Sequence, residues 1–166
     1  MPSYNKEYNR QKAVEYAHRW AYGRNRRYLD FSNIGGDCTN FCSQCIYAGA
    51  KAMNNKPVYG WYYTSPGKRA PAWSGVEFLY NFLVGNTGEG PVARETEVYE
   101  ILPGDIIQLM ISEERFHHTL FVVDVMGRTA RQGNIFIATH SQDSDNRPLL
   151  SYDFKEIRFI HIEGVN

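Results

Sequence analysis

Two hydrophobic periods divide this chain, and the change between them limits its fold more than any other feature. Up to Gly85 apolar residues recur every three or four positions, whereas after Gly90 they fall in short runs bounded by turn residues. The spacing predicts a first helix from Asn5 to about Ala21, with Ala13, Val14, Ala17, Trp20 and Ala21 inward and Gly23 as its stop. A second is predicted from Thr39 to about Ala48, where Phe41, Cys42, Cys45, Ile46 and Ala48 form the apolar face and Gly49 ends it. A third opens at Ser74, whose hydroxyl is placed to cap it while Glu77 reaches back, and runs to Gly85. Strands are predicted at Ile106–Met110, Thr119–Val125, Ile135–Thr139 and Ile157–Ile162. Their close spacing implies antiparallel pairing. Helices followed by strands read as α+β.

A chain of 166 residues with 43% hydrophobic content has enough apolar material for one core, so residues 1–166 are expected to form one domain. Its 18 basic and 18 acidic residues cancel, and its one basic run, Arg24-Asn25-Arg26-Arg27, is expected on a solvated loop. Nucleic acid is therefore not expected as a partner. Residues Met1 to Lys6 lack the apolar centre of a secretion signal, and no run approaches the roughly 18 apolar residues of a membrane span, so no membrane partner is expected. A chain trimmed of its leader would read the same way, which leaves the compartment open. The oligomeric state is open as well.

Within this frame Gly35-Gly36-Asp37-Cys38-Thr39-Asn40-Phe41 carries the chemistry, because it sets a thiol after two glycines and at the start of a helix. The positive end of the helix dipole favours an anion there, which is expected to pull the thiol pKa down toward neutrality. Such a nucleophile needs a base, and five histidines are present. His18 and His161 are expected to be structural. His117 and His118 open a strand that is apolar on both faces, so periodicity leaves the choice between them open. His140 ends the next strand. A hairpin through the Gly127 and Gly133 turn signals would bring it beside that pair, where a third polar group holds the base in the correct tautomer.

Cys38, Cys42 and Cys45 also spell an iron–sulfur ligand pattern. Their spacing puts all three on one face of a helix and the chain is short for a radical-SAM barrel, so Cys42 and Cys45 read as small core residues. No metal or cofactor is expected. The three clustered thiols likewise do not suggest a disulfide framework.

Gly35-Gly36-Asp37-Cys38-Thr39-Asn40-Phe41, Pro103-Gly104-Asp105-Ile106-Ile107 and His118-Thr119-Leu120-Phe121-Val122, followed by polar His140, resemble the papain-like hydrolases of the NlpC/CHAP type. Tyr8-Asn9-Arg10 and Ala13-Val14-Glu15-Tyr16-Ala17 before Gly-Gly-Asp-Cys-Thr-Asn-Phe-Cys-Ser-Gln-Cys resemble, more closely, the putative amidase domain family. The resemblance implies a papain-like (NlpC-type) fold, with N-terminal helices carrying the cysteine packed on a C-terminal antiparallel sheet. It implies Cys38 as nucleophile, His118 rather than His117 as base, and His140 as orienting group, with Asp143 and Asp145 as alternatives for that third place. Asp37, Asn40 and Gln44 are expected to support the turn and helix.

The activity so implied is amide hydrolysis through an acyl-enzyme, on a peptide or a bacterial cell-wall amide. Trp61, Tyr62 and Trp73, in a Gly- and Pro-rich aromatic segment, are candidate substrate contacts, although aromatics covering the side of a small core fit the same pattern. Two other readings stand beside the enzyme. One is a non-catalytic cell-wall or peptide-binding domain, and the other an iron–sulfur protein using Cys38, Cys42 and Cys45.

Overall fold

The computed structural model describes residues 3–166. Its frame is a six-stranded, wholly antiparallel sheet in the order β3-β8-β4-β5-β6-β7, built from β3 (Pro91–Thr96), β4 (Ile106–Met110), β5 (His118–Val125), β6 (Ile135–Thr139), β7 (Ser144–Pro148) and β8 (Glu156–Val165). The helices are α1 (Arg10–Trp20), α2 (Cys38–Ala50), the single turn α3 (Pro71–Ser74) and α4 (Val76–Gly85), and a two-stranded ribbon, β1 (Tyr63–Ser65) with β2 (Lys68–Arg69), lies between α2 and α3. Alternation along the strands sends Ile106, Phe121, Ala138 and Ile160 into one core with the helices. Ile107, Leu120, Val122 and Ile137 enter a second core, which Ile101, Leu149 and Tyr152 help to close. The architecture is mixed α+β with helices on an antiparallel sheet.

The ends of α1, α2 and α4 differ from the sequence expectation, each for a local reason. Helix α1 starts at Arg10, because the Asn9 side chain accepts from the Lys12 N–H while Lys6 pairs with Val165 at the sheet edge. Helix α2 starts at Cys38 and runs through Gly49 to Ala50, stopping at Lys51 in the left-handed region with φ 53°. Gly49 is instead a point of close approach, where a Cβ would stand 2.6 Å from the Asn9 carbonyl oxygen. At α4 the cap is Gly75 rather than Ser74, and Glu77 turns outward to Arg158. Two strands of the main sheet, β3 and β7, are not marked by the apolar pattern, nor are β1 and β2 of the ribbon. Strand β7 reads Ser-Asp-Asn-Arg-Pro and is placed by its pairing with β6.

Candidate active site

The glycine pair before the cysteine has a conformational task. Gly36 sits at φ 108°, and its N–H donates to the Phe31 carbonyl oxygen at 3.0 Å, which folds the loop so that Asp37 stands at the residue before the next helix, without a side-chain cap of its own. The Asp37 carboxylate accepts from the Phe31 N–H at 2.8 Å and from Asn40 Nδ2 at 2.9 Å. Asn40 also donates to the Leu29 carbonyl oxygen and accepts from Trp73 Nε1, and Gln44 accepts from the Tyr16 hydroxyl. Cys38 is thus the first residue of a helix whose start is bonded on three sides, and it is 7% exposed.

Cys38 and His118 line one cleft of 1050 Å³, together with Gly36, Arg24, Phe78 and Phe116. His118 opens β5, whose second residue, Thr119, sits over the α2 start. Burial pushes the Cys38 thiol up, while the Thr119 backbone N–H and the Thr39 hydroxyl pull it down and Asp37 adds to the rise. The lowering expected from the helix dipole is therefore outweighed. Burial lowers the His118 pKa, and the neighbouring His117 ring, with centroids 4.5 Å apart, lowers it further. Both effects favour a neutral thiol and a neutral imidazole before substrate arrives. Nδ1 of His118 and the hydroxyl of Tyr152 are buried with no hydrogen-bond partner among the described residues.

His140 lines the same cleft, but its ring is held by partners other than His118. Its Nε2 stands 2.7 Å from the Trp20 carbonyl oxygen and its Nδ1 2.6 Å from Asp37 Oδ2, with the ring stacked on Phe41 at 4.0 Å between centroids. The carbonyl only accepts, so Nε2 carries a proton, and the short contact to the carboxylate holds another between the two groups. Both nitrogens are committed, so no hydrogen bond runs from His140 to His118, and the orienting contact expected of it is absent among the described residues. The hairpin does form, pairing Phe121 with Ala138, but the end of β6 is drawn to the α2 side. The alternatives are also engaged elsewhere, Asp143 with Arg24 at 2.9 Å and Asp145 with His18 at 2.8 Å.

The expected substrate aromatics are corrected as well. Trp61 and Trp73 are 0% exposed and packed together at 4.8 Å, with Nε1 of Trp61 donating to Ser43. Large rings flanked by turn residues cover the small core here, and Tyr62 is half-buried outside the cleft lining. Cys42 and Cys45 are wholly buried, burial pushes both thiols well up, and no group of three His, Cys, Asp or Glu side chains is placed to hold a metal ion among the described residues. Sequence reasoning missed Arg24, which lines the cleft rather than standing in solvent, and it missed Phe78, Phe116 and Arg158. Only the exposed apolar position of Phe78 on the α4 periodicity gave a signal for any of these.

A sheet with an N-terminal helical layer and a cleft lined by a cysteine and histidines define a mixed α+β chain. Residues 7–162 match the family described as "Putative amidase domain", and the chain belongs to that family. It is also similar to the uncharacterized protein YhbB of Bacillus subtilis (strain 168), 31% identical over 119 residues, which are 70% of this chain and 37% of that relative. The aligned part thus spans little more than a third of the relative's length. No solved structure matches the chain. No helix among the described residues is long and apolar enough to cross a membrane.

Proposed function

We propose that this chain is a papain-like cysteine amidase that cleaves an amide through an acyl-enzyme, with Cys38 as nucleophile and His118 as base. The observation that carries this reading is the convergence of a helix-start cysteine and a strand-start histidine in one open cleft. His118 takes the thiol proton as sulfur attacks the amide carbon, and the imidazolium then protonates the leaving amine. Water hydrolyses the thioester, with the same imidazole as base. The free N–H groups of the first turn of α2 offer donors to the oxyanion. His140 serves the reaction indirectly, by fixing Asp37 and so the loop that presents Cys38. The family resemblance favours a peptide or bacterial cell-wall amide as substrate, and the mixed charges of Arg24, Arg115, Glu77 and Glu113 along the cleft suit a zwitterionic peptide.

The test is hydrolysis of muropeptides and amide-capped peptides by the parent, Cys38→Ala and His118→Ala. The expected outcome is cleavage by the parent, none by Cys38→Ala, and a loss of about 10²–10⁴-fold in kcat for His118→Ala. Equal cleavage by the parent and Cys38→Ala would overturn the reading. Binding of these peptides without turnover would move the chain to a recognition role.

A further inference from the structure

Beneath the cleft runs a line of buried polar side chains that the proposed reaction does not use. Arg158 on β8 donates to Gln108 Oε1 on β4 from Nε at 2.8 Å and from Nη2 at 2.5 Å. The Gln108 Nε2 donates to the Val76 carbonyl oxygen at 2.9 Å and toward Thr119 Oγ1 on β5 at 3.3 Å. Thr119 Oγ1 lies 2.9 Å from Thr39 Oγ1 on α2, and Thr39 Oγ1 lies 3.8 Å from Cys38 Sγ. Gln108 and Thr119 are 0% exposed, Thr39 is 1% exposed and Arg158 8% exposed.

Donor and acceptor rules give this line a direction. A guanidinium only donates and a backbone carbonyl only accepts, so the Gln108 amide has one orientation and an N–H faces Thr119. The hydroxyl of Thr119 then has Thr39 as the one remaining neighbour, among the described residues, to which it can donate. Thr39, accepting that proton, turns its own toward the sulfur. In the reverse direction, with the Cys38 thiol donating to Thr39 and Thr39 to Thr119, the Thr119 proton is buried with no acceptor, which is costly. All the hydroxyl protons are satisfied together only when sulfur is the last acceptor. A thiolate fills that place better than a thiol.

We infer that Gln108, Thr119 and Thr39 form a one-way donor relay, oriented by Arg158, that stabilises the Cys38 thiolate. This rests on the reading of Cys38 as nucleophile. The three are positioning residues, since they act through the sulfur and not on the substrate. The relay acts against the burial that holds the thiol protonated, and it acts from the side of the sheet rather than from His118. Chained hydrogen bonds polarise one another, so removing a remote member weakens the last one.

The test is the pH dependence of iodoacetamide alkylation at Cys38, read by mass spectrometry in the substrate-free protein. The parent is compared with Thr39→Val and Thr119→Val, which remove one hydroxyl at nearly constant shape, and with Thr39→Ser and Thr119→Ser, which keep it. The expected result is an upward move of the alkylation inflection by about one pKa unit in each valine variant, with the parent value kept in each serine variant. Gln108→Met, which keeps the side-chain volume and both threonines, is the second route and also moves the inflection up. Valine and methionine variants with the parent inflection, or serine variants that shift as far as valine, would overturn the relay. The readout needs no substrate, so the relay can fail while Cys38-dependent hydrolysis stands. Conversely, an empty hydrolysis screen leaves the alkylation result in place.

Discussion

On the Cys38 sulfur two opposing effects meet: burial holds the proton on, and donors from Thr39 and the Thr119 backbone draw it off. Since burial leads, the proposed mechanism needs a base free to accept a proton, and the lowered pKa of His118 keeps its ring neutral at ordinary pH. A base that works only when neutral makes kcat/KM rise with pH through its pKa, so the acid limb should lie below the ordinary histidine value. His117→Ala removes one of the two influences that lower that pKa, and the acid limb should move to higher pH; a limb that stays in place or moves down would contradict this. The linkage has the matching sign. The unfolded chain binds a proton at His118 more readily than the folded one does, so this group costs stability as pH falls through the ordinary histidine value. His118→Gln should flatten that part of the stability profile in urea unfolding measured from neutral to mildly acid pH.

Among elements, α2 has the most at stake, because its start is the site and its middle touches the chain that enters α1. Gly49 allows that approach, since a Cβ there would stand 2.6 Å from the Asn9 carbonyl oxygen and 2.7 Å from the Tyr8 ring. Gly49→Ala should therefore destabilise the fold by about 1–3 kcal/mol, seen as a lower urea midpoint with an unchanged slope. The clamp at the other end of α2 is stronger. His140→Ala leaves the Asp37 carboxylate and the Trp20 carbonyl oxygen buried without their partner, and loss of about 3–5 kcal/mol is expected from such a truncation. If His140 instead oriented His118, the variant would keep the parent stability and lose only activity.

Across the whole molecule, the two cores share one sheet, with helices on one face and the Ile101, Leu149 and Tyr152 segments on the other. Trp61 and Trp73 report on the helical side, whereas far-ultraviolet circular dichroism weighs the entire sheet. If residues 1–166 fold as one domain, tryptophan fluorescence and circular dichroism should follow a single coincident urea transition. Two separated transitions would mean that the helical layer opens before the sheet. Ile160 lies in β8 between β3 and β4 and is 0% exposed, so Ile160→Ala should cost about 2–5 kcal/mol and shift both probes equally.

By itself the sequence determined the elements whose cause is local. Apolar spacing of three to four marked the three main helices, short apolar runs between turn residues marked four of the six strands of the main sheet, and the Gly35-Gly36-Asp37-Cys38 run marked the start of α2, because these signals act within a few residues. The tertiary structure alone decided what depends on partners distant along the chain. It committed both nitrogens of His140 to Asp37 and Trp20, buried Trp61 and Trp73, paired β7 despite its polar residues, and lined up Gln108, Thr119 and Thr39 from two strands and a helix. A hydrogen bond is made where a donor and an acceptor meet within about 3 Å, and no local pattern records which distant backbone will bring them there.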